Sequence, residues 1–451
     1  MNILKCILYK QKNILEGVGK MKSSKFNVLI KDEKSDAILL FNSFSLGMQQ
    51  LDADIANAFT KNDFSNLSHE IINELTTKGY LVNDEIDEIS LLKHNYELDK
   101  YDQYVLDFTI APTMGCNLKC SYCFEEHNKP TVPMLMDSQT QDNLIKYMNS
   151  CASRATRMLK VVWFGGEPLL GIDVIKNLTP KIKNIAKQHN LTYDASMTTN
   201  GTLIVKNPKL IQDLLDNDVK NVQITLDGYD NEHNCRRMYK NGLGTFNDII
   251  SAIKLLKTAG VKVGLRINVD STNYKSFDNL FDKLKQEDLL NLELGFGHLR
   301  NYNNSDVMPA ASVPEFCSIL EMSQQLINTK RNSEHIGLPL LARPCVANRK
   351  NSIIVDDKGD IYKCRTLIGN KYYSCGNVNN LDDMSVFNFS NVAQWVSWSP
   401  FMYSKCIDCN ILPICMGGCT YHCFLNNNIP ECNEWKYLLV SRLLNTYYKN
   451  Q

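Results

Sequence analysis

From residue 105 onward the chain alternates between two periodicities, and that alternation limits its fold more than any other feature. Residues 105–111, 161–164, 192–197, 221–225, 261–267 and 292–296 are short runs rich in β-branched and other apolar residues. Amphipathic segments separate them. In residues 246–258, Phe246, Ile249, Ile250, Ile253 and Leu256 share one helical face, and Gly260 stops the helix. Strands alternating with helices predict an α/β fold with a parallel sheet and crossover connections. Six such units make a partial (β/α)6, TIM-like barrel open on one side, with function at the C-terminal ends of its strands.

The first predicted strand runs straight into Cys116, Cys120 and Cys123, a C-x3-C-x2-C triplet with Tyr122 directly before the third thiol. Three soft thiolates so close in sequence can wrap one corner of a metal centre. A cubane iron–sulfur cluster takes four thiolates as a rule, so three local ligands would leave one iron open to a small molecule. A zinc knuckle is the competing reading, with His127 as a fourth ligand. The chain holds 16 cysteines, and clustered thiols without an export signal are metal ligands more often than disulfides. Lone Cys6, Cys151, Cys235 and Cys317 read as small buried hydrophobes.

The other strand ends carry polar residues. After the second comes Gly165-Gly166-Glu167-Pro168, where the glycines permit close backbone approach to a ligand and Glu167 can accept from an ammonium. Thr198 to Gly201 follow the third strand; Thr225 to Gly228, then His233, Arg236 and Arg237, follow the fourth. Asn-Gly and Asp-Gly are also ordinary turn dipeptides, and either arginine could be a surface residue. Arg266 and Asn268 end the fifth strand on the same face. His298 and Arg300 follow the sixth, where a structural use is expected.

Further on, residues 353–362 read as a β-hairpin turning at Asp357 to Gly359, bringing Cys345 and Cys364 together. Cys406-x2-Cys409-x5-Cys415-x3-Cys419 is a dense quartet, with Cys423 and Cys432 beyond it. Gly417-Gly418 permits a tight path before Cys419. Spacing alone leaves zinc and iron–sulfur equally open for these thiols.

Taken together, the triplet, Gly-Gly-Glu-Pro one strand later, and the hairpin plus quartet in that order resemble the radical SAM/SPASM enzymes across roughly residues 100–440. In that family the open iron binds the amine and carboxylate of S-adenosylmethionine. A reduced cluster then cleaves the sulfonium, and a 5′-deoxyadenosyl radical takes a hydrogen atom from substrate. The resemblance implies three [4Fe–4S] clusters. Cys116, Cys120 and Cys123 would hold the first, Cys345, Cys364 and Cys419 a nearer auxiliary cluster, and Cys406, Cys409, Cys415 and Cys432 a second. The family's further cysteine for the nearer cluster is missing, so Cys375 or Cys423 fills in or one iron stays open for a substrate thiolate. Gly165, Gly166, Glu167, Pro168, Asn200, Thr225 and Arg237 are the implied S-adenosylmethionine contacts. Arg237 is preferred to Arg236 because the usual His-x3-Arg spacing runs from His233. No proton acceptor is identifiable.

The remaining regions follow from this. Residues 1–95 hold two predicted strands (26–30 and 37–41) and a helix at 67–80. They are similar to the winged-helix-like peptide-recognition domain that precedes the barrel in many radical SAM peptide maturases, and a structural cap is the alternative. The acidic run 84–88 reads as a solvated linker. The barrel takes residues 100–301, a helical bridge 302–344, and the SPASM domain 345–451. Lysine plus arginine balance aspartate plus glutamate at 49 each, so charge gives no pull toward nucleic acid or an anionic membrane. No signal peptide or membrane-length apolar run is evident, and a cytoplasmic enzyme is expected.

The resemblance thus implies a peptide maturase that forms thioether cross-links in a leader-bearing precursor peptide, with a flavodoxin or ferredoxin as electron donor. Carbon–carbon cross-linking, epimerisation and anaerobic sulfatase maturation to formylglycine are the enzymatic alternatives, and a zinc-binding structural protein is the non-enzymatic one. Anaerobically purified protein is expected to contain iron and acid-labile sulfide. Zinc without either would leave only the structural reading.

Overall fold

The computed structural model describes residues 20–125, 134–300, 310–331, 337–381 and 387–449. Cys6, His127 and parts of the predicted bridge lie outside the described residues. The chain divides into two compact units. One takes Met1–Lys100, Ile336–Cys345 and Trp398–Gln451; the other takes Tyr101–His335 and Val346–Ser397. Among the described residues no helix is long and apolar enough to cross a membrane.

In the first unit β1 (Met21–Ser23) and β5 (Leu81–Asn83) pair antiparallel. β2 (Asn27–Lys31), β3 (Ile38–Asn42) and β4 (Met48–Leu51) form an antiparallel sheet with β3 in the middle. The apolar run of β3 has no polar alternation because both of its faces are covered. Leu40 packs with Ala56, Phe59 and Leu75 of the helices Ala53–Lys61 and His69–Thr77. Leu39 and Phe41 pack with Ile411, Ile414, Leu439 and Leu443 from the C-terminal part of the chain. Ser68 starts the second helix by accepting from Ile71 N, which satisfies one of its unpaired donors. The acidic stretch read as a linker is a short loop that leads into the helix Glu88–Tyr101. Asp87 braces that loop by accepting from the N–H groups of Ile89 and Ser90.

The second unit is built on a nine-stranded sheet. β6 (Val105–Ile110), β8 (Met158–Trp163), β9 (Thr192–Thr199), β10 (Val219–Thr225), β12 (Lys262–Val269) and β13 (Glu293–His298) lie side by side in chain order, all parallel. Helices cross between them, among them Ile172–Gln188 and Phe246–Thr258, the second with the bounds its periodicity predicts. Each crossover shifts the chain by one strand, so all six strand ends open on the same edge of the sheet. The short β7 (Leu118–Cys120) and β11 (Arg237–Tyr239) pair with each other at that edge. The predicted hairpin is present as β14 (Ser352–Val355) and β15 (Asp360–Tyr362). Unanticipated from sequence, β14 also joins β6 in parallel, and β16 (Gly376–Asn377) completes the sheet. The helix Val313–Arg331 follows β13 in the region expected to be helical.

Leu39 is fully buried on the face of β3 that packs against Ile411, Ile414, Leu439 and Leu443. Leu39→Ala should cost about 2–5 kcal/mol in urea unfolding. A loss below about 1 kcal/mol would show that the C-terminal residues do not cover this face of β3.

Candidate active site

The cysteine triplet sits in a loop that three contacts hold in place. The turn after β8 packs directly on it: a Cβ on Gly166 would overlap the carbonyl of Gly115, and one on Gly165 would stand 2.5 Å from Thr113 O. The close approach these glycines allow is therefore to the loop backbone. The β7–β11 ladder sets Arg237 opposite Cys120, and Ser121 N donates to Arg236 O at 2.9 Å. Asp357, in the turn of the hairpin, accepts from Met114 N at 2.8 Å.

These contacts place Cys116, Cys120 and Cys123 on the wall of a cavity of about 400 Å³, within the range of small-molecule sites. Gly165, Gly166, Asn200, Thr225 and Arg237 line it as well, and so do Arg266, Asn268, His298 and Arg300. Of the sequence-derived cofactor residues, Glu167 and Pro168 are buried and are not part of the lining. Glu167 accepts from Leu169 N (3.0 Å), Thr199 Oγ1 (2.6 Å) and Asn200 N (2.8 Å). Burial raises its pKa, and these three donors oppose the rise. Its observed work is to tie the β8 turn to the β9 turn, which aims Asn200 at the cysteine loop. His298, expected to be structural, reaches the cavity while stacking on Phe316 with ring centres 4.6 Å apart.

A polar network missed in the sequence fixes Arg237. Tyr122 donates its hydroxyl to Asp227 and accepts from Arg237 Nη1 (2.8 Å) and Asn268 Nδ2 (3.2 Å). Asp227 is fully buried and accepts from Asn268 N at 2.9 Å, so it is an anchor as well as part of an Asp-Gly turn. Burial pushes the Tyr122 pKa well above the usual phenol value, which keeps the hydroxyl a donor. Burial opposes the charge on Arg237, but Cys120, Tyr122 and Asp227 outweigh it. His233 Nδ1 accepts from Asp227 N at 3.2 Å, which leaves Nε2 to donate to Thr245 Oγ1 at 3.0 Å; Thr245 in turn donates to Arg237 O at 2.6 Å. The His-x3-Arg spacing thus marks a strut and the residue it positions. Arg236 is buried elsewhere, against Asp270 and Glu232. The aromatic before Cys123 and the apolar flank of Asp227 were the available sequence signals.

The residues present fit a cubane cluster with an amino-acid-bearing cofactor. Leu118 N donates to Cys116 Sγ at 3.4 Å, and Asn200 Nδ2 lies 3.9 Å from the same sulfur; such N–H···S bonds stabilise cluster thiolates. Arg237 Nε is buried with no hydrogen-bond partner, a donor suited to a carboxylate. Among the described residues no three Cys, His, Asp or Glu side chains converge on a single metal ion's spacing.

In the first unit Cys406, Cys409, Cys415 and Cys432 line a second cavity, of about 440 Å³. Residues 416–418 all have left-handed φ, and a Cβ on Gly418 would overlap the carbonyl of Glu431, so this glycine lets the Cys432 segment close on the quartet. Burial, then the neighbouring Cys415, Cys409 and Cys432, raises the Cys406 pKa to about 11. Cys345 and Cys419 belong to this unit and Cys364 to the other. Cys375 is buried in the second unit's core, and Cys423 is buried beside Tyr403.

Residues 110–284 match the family described as the Radical SAM superfamily. A cysteine-type anaerobic sulfatase-maturating enzyme of Clostridium perfringens (strain 13 / Type A) is 23% identical over 337 residues, 70% of this chain and 88% of that protein. Native anSMEcpe with bound AdoMet and Cp18Cys peptide superposes with a TM-score of 0.56 at 19% identity, covering 77% of this chain and 100% of that one. Streptococcus suis SuiB bound to precursor peptide SuiA superposes with a TM-score of 0.52 at 16% identity, covering 92% and 99%. At such identities the solved structures speak for the fold. Residues 110–284 thus form a radical SAM domain, the enzymatic part of the chain, and the cofactors such a domain implies are S-adenosylmethionine and a [4Fe–4S] cluster.

Burial first, then Arg237 and Arg236, holds the His233 pKa well below its ordinary value. The unfolded chain therefore binds a proton that the native state refuses. The resulting stability is complete above the unfolded pKa of about 6.5 and is lost as pH falls below it. Urea midpoints should drop more steeply below about pH 6.5 in the wild type than in His233→Gln. Equal slopes would mean that the imidazole is not held neutral.

Proposed function

We propose that this enzyme is a radical SAM peptide maturase of the SPASM type, which forms thioether cross-links from a cysteine of a leader-bearing precursor peptide. On this reading the parallel sheet is a partial (β/α)6 barrel, residues 1–95 recognise the leader, and a flavodoxin or ferredoxin supplies electrons. The observation that carries the reading is the pair of thiol-lined cavities, one with Cys116, Cys120 and Cys123 and one with Cys406, Cys409, Cys415 and Cys432. A single catalytic cluster needs the first alone. The second fits an auxiliary [4Fe–4S] cluster; the other auxiliary cluster, with Cys345, Cys364 and Cys419, rests on the sequence resemblance.

When bound, the triplet's cluster and S-adenosylmethionine supply one-electron chemistry able to take a hydrogen atom from an unactivated carbon. The chain does the positioning. Arg237 Nε would receive the cofactor carboxylate, Tyr122, itself bonded to Asp227, holds that guanidinium, and Thr225 and Asn200 complete the wall. Gly165 and Gly166 keep the thiols against the β8 turn. Thioether formation would break one C–H bond, its hydrogen atom leaving in 5′-deoxyadenosine, and one S–H bond, its proton leaving to solvent, with the remaining electron passing to an auxiliary cluster.

The sulfatase-maturating relative favours a second reading, oxidation of a cysteine to formylglycine. The two are separated by mass spectrometry after anaerobic incubation with S-adenosylmethionine, dithionite and a cysteine-bearing peptide encoded beside the gene. Cross-linking should lower the mass by two hydrogens per link and consume the thiol, so that iodoacetamide no longer alkylates that cysteine. A hydrazide-reactive carbonyl in place of the thiol would favour the second reading.

A further inference from the structure

The cavity of the second unit holds more cationic groups than one cofactor carboxylate uses. Arg237, Arg266, Arg300 and Arg365 line it, and Glu125 is the single carboxylate among the described lining residues. Arg237 lies on the cysteine loop's side, opposite Cys120. Arg266 comes from β12 and extends over its neighbour β13, where Gly297 leaves the room; a Cβ there would overlap the guanidinium. Its Nε donates to Asn268 Oδ1 at 3.1 Å. Asn268 is itself pinned, its N donating to Asp227 Oδ1 and its Nδ2 to Tyr122. Among the described residues Arg266 has no carboxylate partner, and its two terminal nitrogens have no hydrogen-bond acceptor. A guanidinium aimed by one side and left open on the other suits bidentate capture of a carboxylate.

We propose that Arg266, laid across Gly297, recognises a carboxylate of the peptide segment that is modified, either an acidic side chain or a terminal carboxylate. The inference rests on the peptide-maturase reading and names what part of the substrate enters the cavity. It also gives Gly297 in β13 a purpose that strand formation does not require, since glycine weakens a strand.

The test is equilibrium dialysis of the full-length, cluster-reconstituted enzyme with S-adenosylmethionine bound, under anaerobic conditions. The probes are N-acetyl-aspartate α-amide (side-chain carboxylate), N-acetylglycine (terminal carboxylate) and N-acetyl-asparagine α-amide (neutral isostere). One of the acids should bind about tenfold more tightly than the neutral amide, as charge-assisted hydrogen bonds imply, and which one it is identifies the source. The preference should fall to within about twofold in Arg266→Gln and in Gly297→Ala, and survive in part in Arg266→Lys. Equal binding of all three probes by the wild type would overturn the proposal, and that comparison needs no variant to fold. A preference that persists in Arg266→Gln would overturn it too, as would a variant effect confined to S-adenosylmethionine affinity. Release of 5′-deoxyadenosine, assayed separately on the wild type, decides the radical SAM reading independently of the dialysis.

Discussion

The contact between the β8 turn and the cysteine loop is the constraint on which the rest of the site depends. The loop has only the three-residue β7 to hold it in a sheet, so packing must do what a longer ladder would do elsewhere. Gly166 brings two backbones together with no side chain between them. Glu167 then locks the turn to β9, and Asp357, beyond the end of β14 on the other side of β6, holds the loop from there. A cluster ligand must be placed to within fractions of an ångström, and backbone against backbone is the stiffest way to do so.

Around this contact lies a buried charged network that would be costly if it were incomplete. Arg237 and Asp227 are both removed from water, and neither is tolerable alone. Tyr122 joins them, and the neutral imidazole of His233 reaches both through the backbone and Thr245. The network leaves one buried donor, Arg237 Nε, without a partner. An unmet donor in an otherwise complete network marks where a ligand group belongs.

Much of this was legible from residue order. Apolar runs separated by amphipathic segments gave the six parallel strands; β6 is buried along nearly its whole length, whereas β9 and β12 alternate buried with half-buried positions. The hairpin turn at Asp357 to Gly359 was equally plain. What escaped was non-local. Nothing in residues 352–355 says that they pair with β6, since partner choice depends on tertiary position. Glu167 reads as an acceptor in a turn, and its burial as a brace is visible only from the approach of Thr199 and Asn200. Asp227 carries the signal of a turn and also anchors Tyr122. In the first unit, residues 26–41 share cores with residues 406–443, contacts between opposite ends of the chain that no local pattern encodes. A region proposed to recognise a leader therefore also covers the core beside the second thiol-lined cavity.

On the proposed reading Arg237 would receive a cofactor carboxylate, Cys116, Cys120 and Cys123 would hold the cluster, and a substrate chain would enter the space between. The most direct measurement is 5′-deoxyadenosine release by the anaerobically reconstituted enzyme given S-adenosylmethionine and dithionite. The account predicts release in the wild type and at least about a tenfold higher Michaelis constant for S-adenosylmethionine in Arg237→Lys, which keeps the charge but lacks the fork. A reconstituted, cluster-bearing wild type that releases none would contradict it.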